Sequence, residues 1–169
     1  MKIRDATAAD LPTLDPLKRA FENEIPEPPY VELDIEEELG RFAEVLMREI
    51  AVVAEDDRGA VVGFALARRL SGRLGLITDL YVVPSARGRG LARLLVRRVV
   101  ERLRELGLDM VRLEVLATNA HARSIYAQWG FTEEGLALVG SVDRLARALA
   151  ERGGAKRSPT GRQVTTNSP

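Results

Sequence analysis

Leu80-Tyr81-Val82-Val83-Pro84-Ser85-Ala86-Arg87-Gly88-Arg89-Gly90-Leu91-Ala92 joins an apolar, β-forming run to a turn with two glycines one residue apart, and then to a helix. A junction of this kind suits a phosphate. Glycines let the main chain close on a ligand, successive N–H groups converge, and the helix dipole adds about half a positive charge. Two common nucleotide motifs fit poorly. A P-loop needs Lys followed by Ser or Thr after its last glycine, where this chain has Leu91-Ala92, and a dinucleotide fingerprint needs a small residue where Arg93 stands.

A second block lies downstream. Glu114 follows Leu113 in an apolar run, Asn119 opens a short helix, Tyr126 lies within that helix, and Gly130-Phe131 closes it. Amine chemistry gives these residue types a use. An alkylamine with pKa near 10.4 is neutral in only about one molecule in a few thousand at pH 7, so attack on an acyl group calls for a base or a desolvating pocket. Departure of the group displaced from the acyl carbon is eased by an acid beside it, and a main-chain N–H can stabilise the oxyanion.

The spacing Arg87-x-x-Gly90-x-Ala92, with the second block, resembles the GNAT superfamily of acetyl-coenzyme A-dependent N-acetyltransferases. The second block is most similar to members that acetylate protein N-terminal amines. The resemblance spans residues 2 to about 140. It implies an α/β fold with a mixed, mostly antiparallel sheet, helices on both faces and a V-shaped opening between two parallel strands. It further implies that the main-chain amides of Gly88, Arg89, Gly90, Leu91, Ala92 and Arg93 hold the pyrophosphate of acetyl-CoA, with Arg87 opening the motif. A bulged strand would offer the backbone of Leu80, Tyr81 and Val82 to the pantetheine arm as if to an added strand. Asn119 would hydrogen-bond the cofactor and cap its helix, Tyr126 would aim its hydroxyl at the thioester sulfur, and Glu114 would act on the amine through water.

Alternatives remain at these positions. Asp79, on the strand face of Tyr81, is a rival base or acceptor contact, and Glu114 reads equally as a strand-surface carboxylate. Tyr126 sits on an otherwise apolar helix face. His121 reads as a surface helix residue, and Trp129 and Phe131 as core.

The elements that must position these residues follow from periodicity. Residues 2–6 read as a strand. Thr7 and Asp10 offer caps to a helix carrying Leu11, Leu14, Leu17, Ala20 and Phe21 at helical spacing, and the Pro26-Glu27-Pro28-Pro29 cluster ends it. Residues 34–48 form a second helix with Ile35, Leu39, Phe42, Val45 and Leu46 inward. Strands at 50–55, 61–69 and 74–83, joined by short turns, predict an antiparallel meander. The helix over 90–106 buries Leu91, Leu95, Val99 and Leu103, shows Arg93, Arg97 and Arg104 to solvent, and stops at Gly107. A strand at 110–116 is expected to pair in parallel with 74–83. A helix at 119–129 and a last strand at 131–139 follow.

The family's usual closing hairpin lacks its second strand here, because 141–150 reads helical and 163–166 is short and polar. Either the strand is missing, or the tail or another chain supplies it, which allows a homodimer. The expected organisation is an acetyltransferase domain at 1–140 and an appended helix and flexible tail at 141–169.

Composition narrows the rest. The 169 residues contain no cysteine and one histidine, which excludes disulfides, thiolate metal sites and a cysteine acyl-enzyme. No metal is expected, and transfer is expected by direct attack in a ternary complex. Net charge is zero. The arginine-rich helix lacks a stacking platform, so no nucleic acid partner is expected, and without a long apolar run no membrane partner either. A cytoplasmic location is expected. Residues 22–38 hold eight acids and no base, and 87–104 hold seven arginines and one acid. The basic run suits an anionic cofactor. The acidic run suits a small cationic amine, or is a solvated face, whereas the second block points to a peptide N-terminus. The competing class is a non-enzymatic acyl-CoA sensor with the acidic stretch as a docking surface.

Overall fold

The computed structural model describes residues 1–25, 34–135 and 137–152. Its chain forms two compact units, residues 1–119 and residues 120–169.

The first unit runs β1 (Lys2–Asp5), a 3-10 turn (Ala8–Asp10), α1 (Leu11–Glu24), α2 (Ile35–Arg48), β2 (Ile50–Glu55), β3 (Val61–Ser71), β4 (Leu74–Val82), a second 3-10 turn (Pro84–Ala86), α3 (Leu91–Glu105) and β5 (Met110–Leu113). The sheet order is β1-β2-β3-β4-β5. The pairs from β1 to β4 are antiparallel, and β5 lies parallel to β4. This is the expected mixed, mostly antiparallel sheet. The proline cluster after α1 lies outside the described residues.

Local chemistry places the ends. Asp34 accepts from the N–H groups of Glu36 and Glu37 at 3.0 and 3.2 Å, and three glutamates in the first turn of α2 suit the positive end of its dipole. Asp56 Oδ1 accepts from the N–H groups of Arg58 and Ala60 and tightens the β2–β3 turn.

Strand alternation then sorts two cores. Leu14 of α1 and Phe42 and Leu46 of α2 pack with Ala51, Val53, Phe64, Leu66 and Tyr81 on one face. On the other, α3 sets its buried Leu91, Leu95, Val96, Val99 and Leu103 over a surface whose alternate residues include Val52, Ala54, Ala65 and Ala67. Small residues there let the helix sit close. At Gly75 a Cβ would lie 2.6 Å from Leu103 Cδ2, so Leu103 packs on bare main chain.

A polar clamp fixes β1 beneath α1. Arg4 forks onto both oxygens of Asp10 at 2.8 and 2.7 Å and reaches Glu55 at 2.6 Å, while Asp10 also accepts from the N–H of Thr7 at 2.7 Å. The Arg4 bonds hold the Asp10 carboxyl far below its ordinary range, against an opposing push from burial. A depressed pKa stabilises the fold fully above the unfolded value near 3.9, and that share is lost as pH falls. Asp10→Asn is therefore expected to cost about 2 kcal/mol at pH 7. Urea unfolding should show its gap from the wild type narrowing below about pH 4.

The second unit contains α4 (Ala120–Gln128) and α5 (Val142–Arg152). Gly130, at φ 96°, turns the chain after α4. Ser141 Oγ accepts from the N–H of Arg144 at 3.5 Å. The expected strand at 131–139 does not form among the described residues, where the chain is irregular. No neighbouring strand is paired to it, and Glu133-Glu134-Gly135 breaks the alternation that would give it a buried face. The polar tail beyond Arg152, including 163–166, lies outside the described residues.

Candidate functional site

The site begins where β4 and β5 part. Their parallel pairing runs from Leu74/Met110 to Ile77/Leu113 and stops there. The β3–β4 register steps from Ala67↔Ile77 to Leu66↔Asp79, leaving Thr78 as a bulge in β4. The bulge increases the twist and swings the rest of β4 away from its neighbour. β5 accordingly ends at Leu113, and the expected strand residues Glu114 and Leu116 have no ladder to join.

Beyond the bulge, β4 pairs on the β3 side only. The N–H of Val83 bonds to the carbonyl of Val62 at 2.9 Å. By the alternation of an antiparallel ladder, the main-chain groups of Leu80 and Val82 then point to the open side. Tyr81, between them, turns its ring into the core against Phe64 and Phe21.

The glycine turn caps this open edge. Gly88 and Gly90 have φ of 74° and 78°, and a Cβ on either would meet nothing within 4 Å. Gly90 is the N-cap of α3. Among the described residues, none of the N–H groups at 88–93 has a protein acceptor. That is a run of free donors at a helix start, which fits a phosphate ester. Arg89 and Arg93 are exposed beside it, without a partner among the described residues.

Arg87 does something its position in the motif does not reveal. Its Nε donates to the carbonyl of Val82 at 2.7 Å, its Nη2 reaches Glu24 of α1 at 2.6 Å, and its guanidinium lies over the Tyr81 ring. Tyr81 also donates to Glu24 at 3.2 Å. Arg87 thus ties the turn to the edge strand and to α1.

Asp79 is buried and bonded to the Lys18 ammonium at 2.6 Å; Lys18 also pairs with Glu22 and lies over the rings of Phe21 and Phe42. Burial alone would lower the Lys18 pKa, but the two carboxylates more than reverse it, and the ammonium stays charged. Sequence reasoning missed Lys18. Its signal is a lysine in the apolar stripe, four residues after Leu14 and four before Glu22.

The acidic stretch is similarly engaged. Glu22 pairs with Lys18, Glu24 with Arg87, Glu36 with Arg19, and Glu37 and Glu38 with Arg41, while Asp34 caps α2. Its described acids act as ion-pair and capping groups.

Glu114, just past β5, is exposed and free of partners among the described residues. The N–H of Asn119 bonds to the carbonyl of Leu116 at 2.9 Å, closing a turn before α4. In the second unit, Tyr126 is half-buried against Trp129 and Phe131, with ring centroids 5.7 and 6.0 Å away. Burial raises its pKa, so the hydroxyl stays protonated at neutral pH. His121 is exposed on α4.

Comparison with known proteins shows the family. The model of the acetyltransferase (GNAT) family matches residues 16–131. A mycothiol acetyltransferase of Beutenbergia cavernae is 40% identical over 81 residues, 48% of this chain and 27% of its own length. The chain thus spans about a quarter of that relative. Glucosamine 6-phosphate N-acetyltransferase 1 of Oryza sativa subsp. japonica is 33% identical over 116 residues, 64% of this chain and 68% of its own. The crystal structure of a ribosomal-protein-alanine N-acetyltransferase from Brucella melitensis biovar Abortus 2308 superposes with a TM-score of 0.65 at 20% identity, covering 83% of this chain and 98% of that one. The open β4 edge, the donor-lined turn and these matches have one reading: the chain belongs to the GNAT acetyltransferase family.

Proposed function

We propose that this protein transfers an acetyl group from acetyl-CoA to a primary amine, by direct attack in a ternary complex within a domain spanning 1–140. The observation that carries the reading is the run of N–H groups at 88–93, free among the described residues, beside the edge of β4 that no described strand pairs. Those amides, with Arg89 and Arg93 nearby, take the pyrophosphate. The outward main-chain groups of Leu80 and Val82, on either side of Tyr81, take the pantetheine amides, and Arg87 holds edge and turn in register. Asn119 adds a cofactor contact.

At the reacting centre the amine nitrogen forms a bond to the thioester carbon, the C–S bond breaks, and the proton lost by the amine leaves through Glu114 and water. Tyr126 donates its proton to the departing thiolate and regains one from water. Asp79 contributes to the acceptor side.

Thiol release from acetyl-CoA with a panel of amines tests this directly. The expected result is acetylated amine and free CoA in equal amounts. Slow hydrolysis alone, whatever the amine, points instead to a sensor of acyl-CoA.

A further inference from the structure

A concavity lies on the α1/α2 face of the sheet. It measures about 180 Å³ and is lined by Lys18, Glu38, Arg41, Phe42, Val45, Arg68, Thr78 and Asp79. Thr78 is the bulge residue, so the cavity opens where β4 leaves β5, on the face opposite α3.

Its charges are unequally served. Lys18 is neutralised by Asp79 and Glu22, and Arg41 by Glu37 and Glu38. Arg68 of β3 is half-buried in this wall and has no ion pair or hydrogen bond among the described residues. A guanidinium partly withdrawn from water without a carboxylate is costly, and its planar fork matches a carboxylate or phosphate. Leu66 pairs with Asp79, and Arg68 is the next residue on that strand face, about 7 Å along β3. The wall is therefore bipolar. Beside the splay Lys18 and Asp79 form a neutral pair in the lining, to which Glu22, bonded to Lys18 outside the lining, adds one net negative charge, while Arg68 is an unmatched cation.

We infer that the acceptor is a small amine that also carries an oxyanion, a carboxylate or a phosphate, which Arg68 binds while the Asp79 end receives the amine. This rests on the acetyltransferase reading. It replaces the cationic acceptor suggested by the acidic stretch, whose described acids already have partners. Phe42 and Val45 cover the apolar span between the two ends.

The test pairs amines that differ only in the anion: an ω-amino carboxylate against the matching alkylamine, and an amino sugar phosphate against the free amino sugar, with a diamine as the cationic arm. The wild type is expected to favour an anion-bearing member by about 10²-fold in kcat/KM, and the arm that does so identifies carboxylate or phosphate. Arg68→Gln should erase that preference through KM with acetyl-CoA binding intact, and Arg68→Lys should restore part of it. Equal losses on every amine in Arg68→Gln, or a wild-type preference for the diamine or the uncharged partners, overturns the inference. Absence of acetyl-CoA binding by the wild type instead brings down the acetyltransferase reading itself.

Discussion

Tyr126→Phe is expected to lower turnover by about 10²-fold with acetyl-CoA affinity unchanged. The argument starts from burial. Trp129 and Phe131 close over the Tyr126 ring and raise its pKa above the usual phenol value near 10, so the O–H persists across the working pH range. Its hydroxyl has no protein partner among the described residues, and under the proposed mechanism it donates to the departing sulfur. The Phe variant keeps the ring packing and loses only the donor. A transition-state interaction removed in this way lowers kcat and kcat/KM together. Calorimetry with CoA and steady-state kinetics on the same variant separate the outcomes. Unchanged turnover removes Tyr126 from the mechanism, and a parallel loss of CoA affinity makes it a packing residue.

Much of this arrangement was legible in the sequence, for identifiable reasons. Gly107 as a stop and the Leu91, Leu95, Val99 and Leu103 stripe are local signals, and each matches the structure. The antiparallel meander followed from turns too short for any other connection. The bulge at Thr78 was not legible, because it depends on how β3 and β4 register against each other. With it went the early end of β5, so a strand expected through Leu116 stops at Leu113. Charge runs misled for the same reason: Glu22, Glu24 and Glu36 are neighbours in sequence, yet Lys18, Arg87 and Arg19 claim them one by one in space. Arg68 sits in an ordinary strand pattern, and what distinguishes it is that it has no partner among the described residues.

Replacing Gly88 and Gly90 together by valine is expected to weaken CoA binding by about 10²-fold or more, because each charge-assisted N–H bond to phosphate is worth roughly 1.5–3 kcal/mol. The mechanism is conformational. Both glycines are left-handed, where a side chain costs about 1–2 kcal/mol per residue. Since a Cβ there meets nothing, the variant is free to relax the turn, and the 88–93 amides then cease to converge. The turn is exposed and contributes nothing to either core, so the sheet should unfold at nearly the wild-type urea concentration. Pantetheine without its phosphates provides the decisive comparison. It uses only the β4 edge, so its weak binding should be equal in the two proteins while CoA discriminates sharply between them. Should the valine variant bind CoA as the wild type does, the phosphates are held elsewhere, and the free N–H run beside Gly90 is only a helix start.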